Sequence, residues 1–137
     1  MKIVICGSMT AAKKMVEIEN GLIDLGHKVI LPKFTKEYSQ MDSQEDMHSE
    51  SVKNKLEHDL IRDYFEEIKN GDAVLIINEE RKNIKNYIGG NSFLEMAFAH
   101  VLNKEVFLLN PIPDMGYSDE LIAMQPTILN GDLSLIK

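Results

Sequence analysis

The chain has 137 residues, the size of one ordinary domain, and its 44% hydrophobic and 27% charged composition is that of a globular protein with a core to bury. A net charge of −7 excludes a general nucleic-acid surface, which needs clustered lysine and arginine, but leaves room for a small anion held at a helix N-terminus. One cysteine, Cys6, excludes an internal disulfide, and no stretch approaches the roughly 18 apolar residues of a membrane span.

Lys2 to Cys6 is a short apolar run ending at Gly7-Ser8, which reads as a strand buried on both faces. Cys6 is then a small core thiol in a reducing compartment. A strand beginning at Lys2 leaves no signal peptide, so a cytoplasmic location is expected. Met15, Ile18, Leu22 and Leu25 recur at helical spacing, and Gly26 closes that helix. Lys28 to Leu31 is a second strand, stopped by Pro32.

Residues 33 to 48 are polar and lack periodicity, as in a surface connection or a lid. Val52, Leu56, Leu60, Ile61, Tyr64 and Ile68 form a long amphipathic stripe ending near Gly71. Asp72 to Asn78 is the third and clearest strand. A polar segment, Glu79 to Tyr87, leads into the turn Gly89-Gly90-Asn91-Ser92. The helix after it carries Phe93, Leu94, Ala97, Phe98 and Val101. Glu105 to Leu109 is a fourth strand, Ser118 caps a short helix with an acidic first turn, and Thr127 to Leu129 is a fifth strand.

Alternating strands and helices predict one α/β domain over residues 1–137: a flavodoxin-like, Rossmann-like doubly wound parallel sheet with strand order 2-1-3-4-5. In such sheets ligands bind beyond the carboxyl ends of the strands, where the order reverses. Gly7, Ser8, Met9 and Thr10, Asn78, the Gly89 to Ser92 turn and Asn110 are therefore expected to share one crevice.

The first loop offers a glycine for close approach and the hydroxyls of Ser8 and Thr10 beside free helix N–H groups, suited to a phosphate or a sugar hydroxyl. It is also readable as a tight turn with Thr10 as a cap. Glu95 falls one turn into the helix after Gly89-Gly90, where a carboxylate can attack the anomeric carbon of a sugar or stabilise an oxocarbenium ion. Ser92-x-x-Glu95 equally fits a capping box, in which Glu95 serves only its own helix. Asp59, Arg62 and Asp63 lie within one turn, either to position a sugar hydroxyl or donate a proton, or as a solvated ion-paired face. Arg81, Lys82 and Lys85 form a basic cluster read as an exposed loop. His27, His48, His58 and His100 match no metal-ligand spacing, and no metal or other cofactor is expected.

Cys6-Gly7-Ser8 at the end of the first strand, Asp72 opening the third, and a glycine turn ahead of a helix-borne Glu95 resemble the nucleoside 2-deoxyribosyltransferase family, nearest its deoxynucleoside 5′-monophosphate N-glycosidase branch. The resemblance implies that Glu95 is the nucleophile, that Gly7, Ser8 and Thr10 touch sugar or phosphate, and that Gly89, Gly90, Asn91 and Ser92 lie near the 5′ end of the ligand. It implies a homo-oligomer, commonly a dimer, with Tyr117 to Met124 reaching a neighbouring subunit and the Val52 to Ile68 helix as a dimer surface. The chain departs from the family in placing Tyr64 where an aspartate usually helps position the sugar or donate a proton, and bulky Phe93 and Leu94 ahead of the glutamate. Phosphoribohydrolases use a related turn, but Gly89-Gly90 to Glu95 is one residue too short for it.

The expected activity is cleavage of the base–sugar bond of a nucleoside or its 5′-monophosphate, by an N-glycosidase or a deoxyribosyltransferase-like enzyme. Glu95, Asp59 and Asp63 are its catalytic candidates. A nucleotide-binding or sensor domain that kept the crevice and lost the chemistry is the alternative, favoured by Tyr64; a scaffold without a small ligand is a third.

Overall fold

The computed structural model describes residues 1–41 and 59–137. The five predicted strands are present as β1 (Lys2–Cys6), β2 (Lys28–Ile30), β3 (Ala73–Ile76), β4 (Glu105–Leu108) and β5 (Thr127–Ile128). All pairs are parallel and the order is β2-β1-β3-β4-β5, the doubly wound arrangement that the alternation of elements implies. The helices are α1 (Ala12–Asp24), α2 (Thr35–Tyr38), α3 (Leu60–Asn70), α4 (Gly90–Val101) and α5 (Ser118–Ala123). Val52 and Leu56 of the predicted stripe, with His48 and His58, lie outside the described residues.

The sheet separates two cores. Alternate side chains of β1, β3 and β4 point to opposite faces, as the pleat requires. Ile3, Ile5, Leu75 and Phe107 pack with Met15, Ile18 and Leu22 of α1. Val4, Cys6, Val74, Ile76 and Leu108 pack with Tyr64 and Ile68 of α3 and with Met96 and Ala99 of α4. An edge-on contact between Phe65 and Phe98, ring centres 5.1 Å apart, joins α3 to α4. Among the described residues no helix is long and apolar enough to cross a membrane.

Local signals decide the helix ends. Gly26 at φ 92° lets Gly26 N–H reach the Ile23 carbonyl and His27 N–H reach the Leu22 carbonyl, the two bonds of a Schellman stop. Leu25, expected in the buried stripe of α1, is the exposed cap residue. The segment after Pro32, expected to lack regular structure, forms α2 with Thr35 and Tyr38 buried. Ser118 does not cap α5; Tyr117 holds that position, and the Ser118 hydroxyl bonds back to the 113–115 loop. In α4 the buried stripe is Ser92, Met96 and Ala99, while Leu94 and Val101, expected on the apolar face, are exposed.

Candidate functional site

A crevice of about 810 Å³ lies beyond the carboxyl ends of β1 and β2, bordered there by Gly7 and by Ile30 to Lys33, and reaches the loop that follows β3. The Gly7 to Thr10 loop, one face of α3, the loop after β3 and the first two turns of α4 form its walls. Gly7, Ser8, Thr10, Asp63, Gly89, Gly90, Asn91, Ser92 and Glu95 of the predicted set all border it.

Glu95 reaches the crevice because α4 starts earlier than the Ser92-x-x-Glu95 pattern implies. Gly89 is the cap residue, helical hydrogen bonding begins with Phe93 N–H to the Gly89 carbonyl, and no side chain caps the end. Ser92 is already inside the helix and buried, so the capping box does not form. Glu95 stands beside Met96 of the core stripe and is half-buried, on the shoulder between core and crevice.

Two buried side chains from other elements feel the charge of that carboxylate. The Cys6 thiol, fully buried at the end of β1, lies within hydrogen-bonding reach of Glu95. Burial first, and the Glu95 charge second, hold the thiol well above its ordinary pKa. Tyr64 of α3 is 8% exposed, and its hydroxyl donates to the Ile5 carbonyl. Burial pushes its phenol upward as well, with Cys6, Glu95 and Glu67 adding to the shift. The thiol and the phenol thus both stay protonated beside Glu95.

The first loop is tied from two sides. Ser8 accepts the Thr10 N–H at 3.3 Å and caps the 3-10 turn Met9–Ala11, so the cap residue is Ser8 and not Thr10. The two hydroxyls are 2.9 Å apart. Arg81, expected on an exposed loop, is half-buried and its Nη1 donates to Ser8 Oγ at 3.0 Å. Arg81 and Ile84 exchange backbone hydrogen bonds across Lys82 and Asn83, both at positive φ, forming a tight turn that fixes the arginine over the loop. The protein leaves little room at Gly7, since a Cβ there would displace the flexible Met15 Cε, 2.6 Å away, and crowd the Ile77 carbonyl at 3.3 Å. At Gly90 an added Cβ meets nothing within 4 Å.

Asn78 and Asn110, expected in the same crevice, are turned to each other and do not border it. The Asn78 amide donates to the carbonyls of Asn110 and Pro111 and accepts the Asn110 N–H, while the Asn110 amide donates to the Asn78 carbonyl. They clamp the ends of β3 and β4 together. Asp59 stands at φ 47° just before α3, exposed and paired with Arg62 at 2.9 Å, and it too lies off the crevice. Asp63 borders the crevice from an exposed position on α3. Among the described residues no three His, Cys, Asp or Glu side chains converge as a metal-ligand group.

The sequence reads Cys6 only as a small core thiol and Arg81 only as part of an exposed basic loop, and it does not single out Glu67. Cys6 was findable, because the last residue of a central strand sits where ligands bind in this fold. Arg81 was not, because its position depends on a turn that only three-dimensional pairing reveals.

No protein-family model matches the chain, and no curated protein matches it. Among solved structures it is similar to the CMP N-glycosidase BcmB of Clostridium botulinum, at 11% identity and a TM-score of 0.48, over 93% of this chain and 85% of that one. Likeness at that level says nothing of the reaction carried out here.

Proposed function

We propose that this chain is an N-glycosidase or deoxyribosyltransferase-like enzyme that cleaves the base–sugar bond of a nucleoside or nucleoside 5′-monophosphate through Glu95. The observation that carries this reading is the place of Glu95: a helix-borne carboxylate bordering a crevice beyond the strand ends, in a helix that begins at Gly89 and not at Ser92, opposite a hydroxyl-bearing loop. A Glu95 oxygen attacks the anomeric carbon, the N-glycosidic bond breaks with its electron pair going to the base, and a glycosyl ester forms. Water then adds to the same carbon and loses a proton, and the carboxylate leaves; a second base in place of water gives transfer. The departing base takes its proton from solvent, and Asp63 on the α3 wall is placed to hold a sugar hydroxyl. A dimer and a cytoplasmic setting belong to the same reading; light scattering tests the first.

Chromatographic detection of free base tests the chemistry. Wild-type protein incubated with ribo- and deoxyribonucleosides and their 5′-monophosphates should release base, and Glu95→Gln should retain affinity while losing turnover by about a thousandfold or more. Equal turnover in the variant removes Glu95 from the mechanism.

A nucleotide-binding domain without turnover is the second reading, favoured by one observation. At the position where the resembling family carries an aspartate, the Tyr64 hydroxyl is engaged with a backbone carbonyl and sits in the core. Tight calorimetric binding of a nucleotide that is recovered intact would select it.

A further inference from the structure

Tyr117 stands just before α5, and its side chain reaches the start of α4. Its hydroxyl donates to the Ile88 carbonyl, and its ring stacks on Phe93 with centres 4.4 Å apart and planes 16° from parallel. Ile88 is buried directly ahead of Gly89 and Gly90, and among the described residues no backbone N–H donates to its carbonyl. Two successive glycines leave that turn with the widest backbone freedom a chain can have, and no side chain caps the helix it opens. The root of Tyr117 is fixed in turn. Its carbonyl accepts the N–H of fully buried Leu121 at 3.2 Å, and the Ser118 hydroxyl holds the 113–115 loop that leads into it.

We infer that Tyr117 is a positioning residue for Glu95: it braces the glycine turn so that the first turns of α4 hold the carboxylate at one place on the crevice. This rests on the nucleoside-cleaving reading of Glu95. Phe93 and Glu95 are two residues apart, and at about 100° per residue they stand on nearly opposite sides of α4. The tyrosine therefore presses on the helix from the side away from the ligand space, and neither Tyr117 nor Phe93 borders the crevice. Its effect passes through the helix and not through contact with a substrate. An attacking oxygen must sit within about 3–3.5 Å of its carbon, and a misplacement of about 1 Å costs on the order of a hundredfold in rate. Loosening the turn spreads Glu95 over several positions, while the first loop and α3 keep their places as walls of the crevice. The loss then falls mainly on kcat and much less on KM.

Two variants divide the brace: Tyr117→Phe keeps the stack and removes the hydrogen bond, and Tyr117→Leu removes both. Steady-state base release should show kcat lowered about three- to tenfold in the first and about thirty- to a hundredfold in the second, with KM changed less than about threefold in each. Amide hydrogen exchange reads the brace without turnover. The N–H groups from Phe93 to Ala97 should exchange several-fold faster in Tyr117→Phe, while those of Val106 to Leu108 in β4 keep their wild-type rates. Thermal unfolding confirms that folded protein is compared, and Tyr117→Phe carries the test if Tyr117→Leu does not fold. Wild-type kcat in the folded variants, a loss confined to KM, or unchanged exchange in α4 overturns the positioning role. Exchange that quickens equally in α4 and β4 marks a general loss of stability and overturns it as well. If the wild type releases no base, the glycosidase reading falls by itself, and exchange in α4 alone decides the brace.

Discussion

The Tyr64 hydroxyl donates to the carbonyl of Ile5, 59 positions away in sequence, at a point where the sheet has no donor of its own. Strand β2 pairs with β1 only as far as Val4 opposite Ile30, and the chain soon reaches Pro32, which has no N–H. Tyr64→Phe keeps the ring and removes that donor, leaving a buried carbonyl unmatched. A loss of about 1–3 kcal/mol is expected in urea unfolding. An unchanged midpoint would show that water replaces the phenol.

Stability should fall in alkali. In the unfolded chain a thiol titrates near about 8.5 and a phenol near about 10. Burial holds both Cys6 and Tyr64 above those values in the folded protein. Above pH 8.5 the unfolded state therefore binds fewer protons, and stability present below that pH is lost as pH rises toward the folded values. The thiol's share is at most about 1.4 kcal/mol per pH unit. Cys6→Ala should flatten the profile between pH 8.5 and 10. A slope in Cys6→Ala equal to the wild type's would assign the loss to other groups.

The amide clamp predicts an asymmetry between two conservative changes. Asn78→Asp places a carboxylate against the carbonyls of Asn110 and Pro111, which now receive the amide's two N–H groups. Asn78→Ala leaves those carbonyls without a donor but adds no charge. Both should destabilise, the first by more than the roughly 2–4 kcal/mol expected of the second. If Asn78→Asp proves the milder, the clamp is not set as described.

Gly90→Ala separates protein needs from ligand needs. The added methyl meets no protein atom, so stability should hold or rise slightly. It points into space next to the crevice, so the KM for the cleaved substrate should rise several-fold. Unchanged KM would place the ligand away from the start of α4.

Strand order and the crevice's location were legible because buried parallel strands read as apolar runs and the switch-point rule does the rest. Glu95 could be named but not freed from its capping alternative, since whether Ser92 is a cap or an interior residue depends on where Gly89 lets the helix begin. Asn78 and Asn110 were legible as strand-end residues, but their amides face each other, a pairing 32 positions apart that no local pattern reports. Arg81 failed for the same reason in reverse, its charge suggesting solvent while a two-residue turn aimed it at Ser8.

The alternation of side chains along β1 divides the molecule into two mutational territories. Ile3 and Ile5 belong to the core under α1, whereas Val4 and Cys6 belong to the core that borders Glu95. Odd positions can therefore be repacked for robustness with the sheet itself as insulation, and such changes should combine additively with changes near the carboxylate. Even positions carry no such freedom. Inserting or deleting one residue in β1 would exchange the two territories wholesale, making the strand far more tolerant of altered spelling than of altered length.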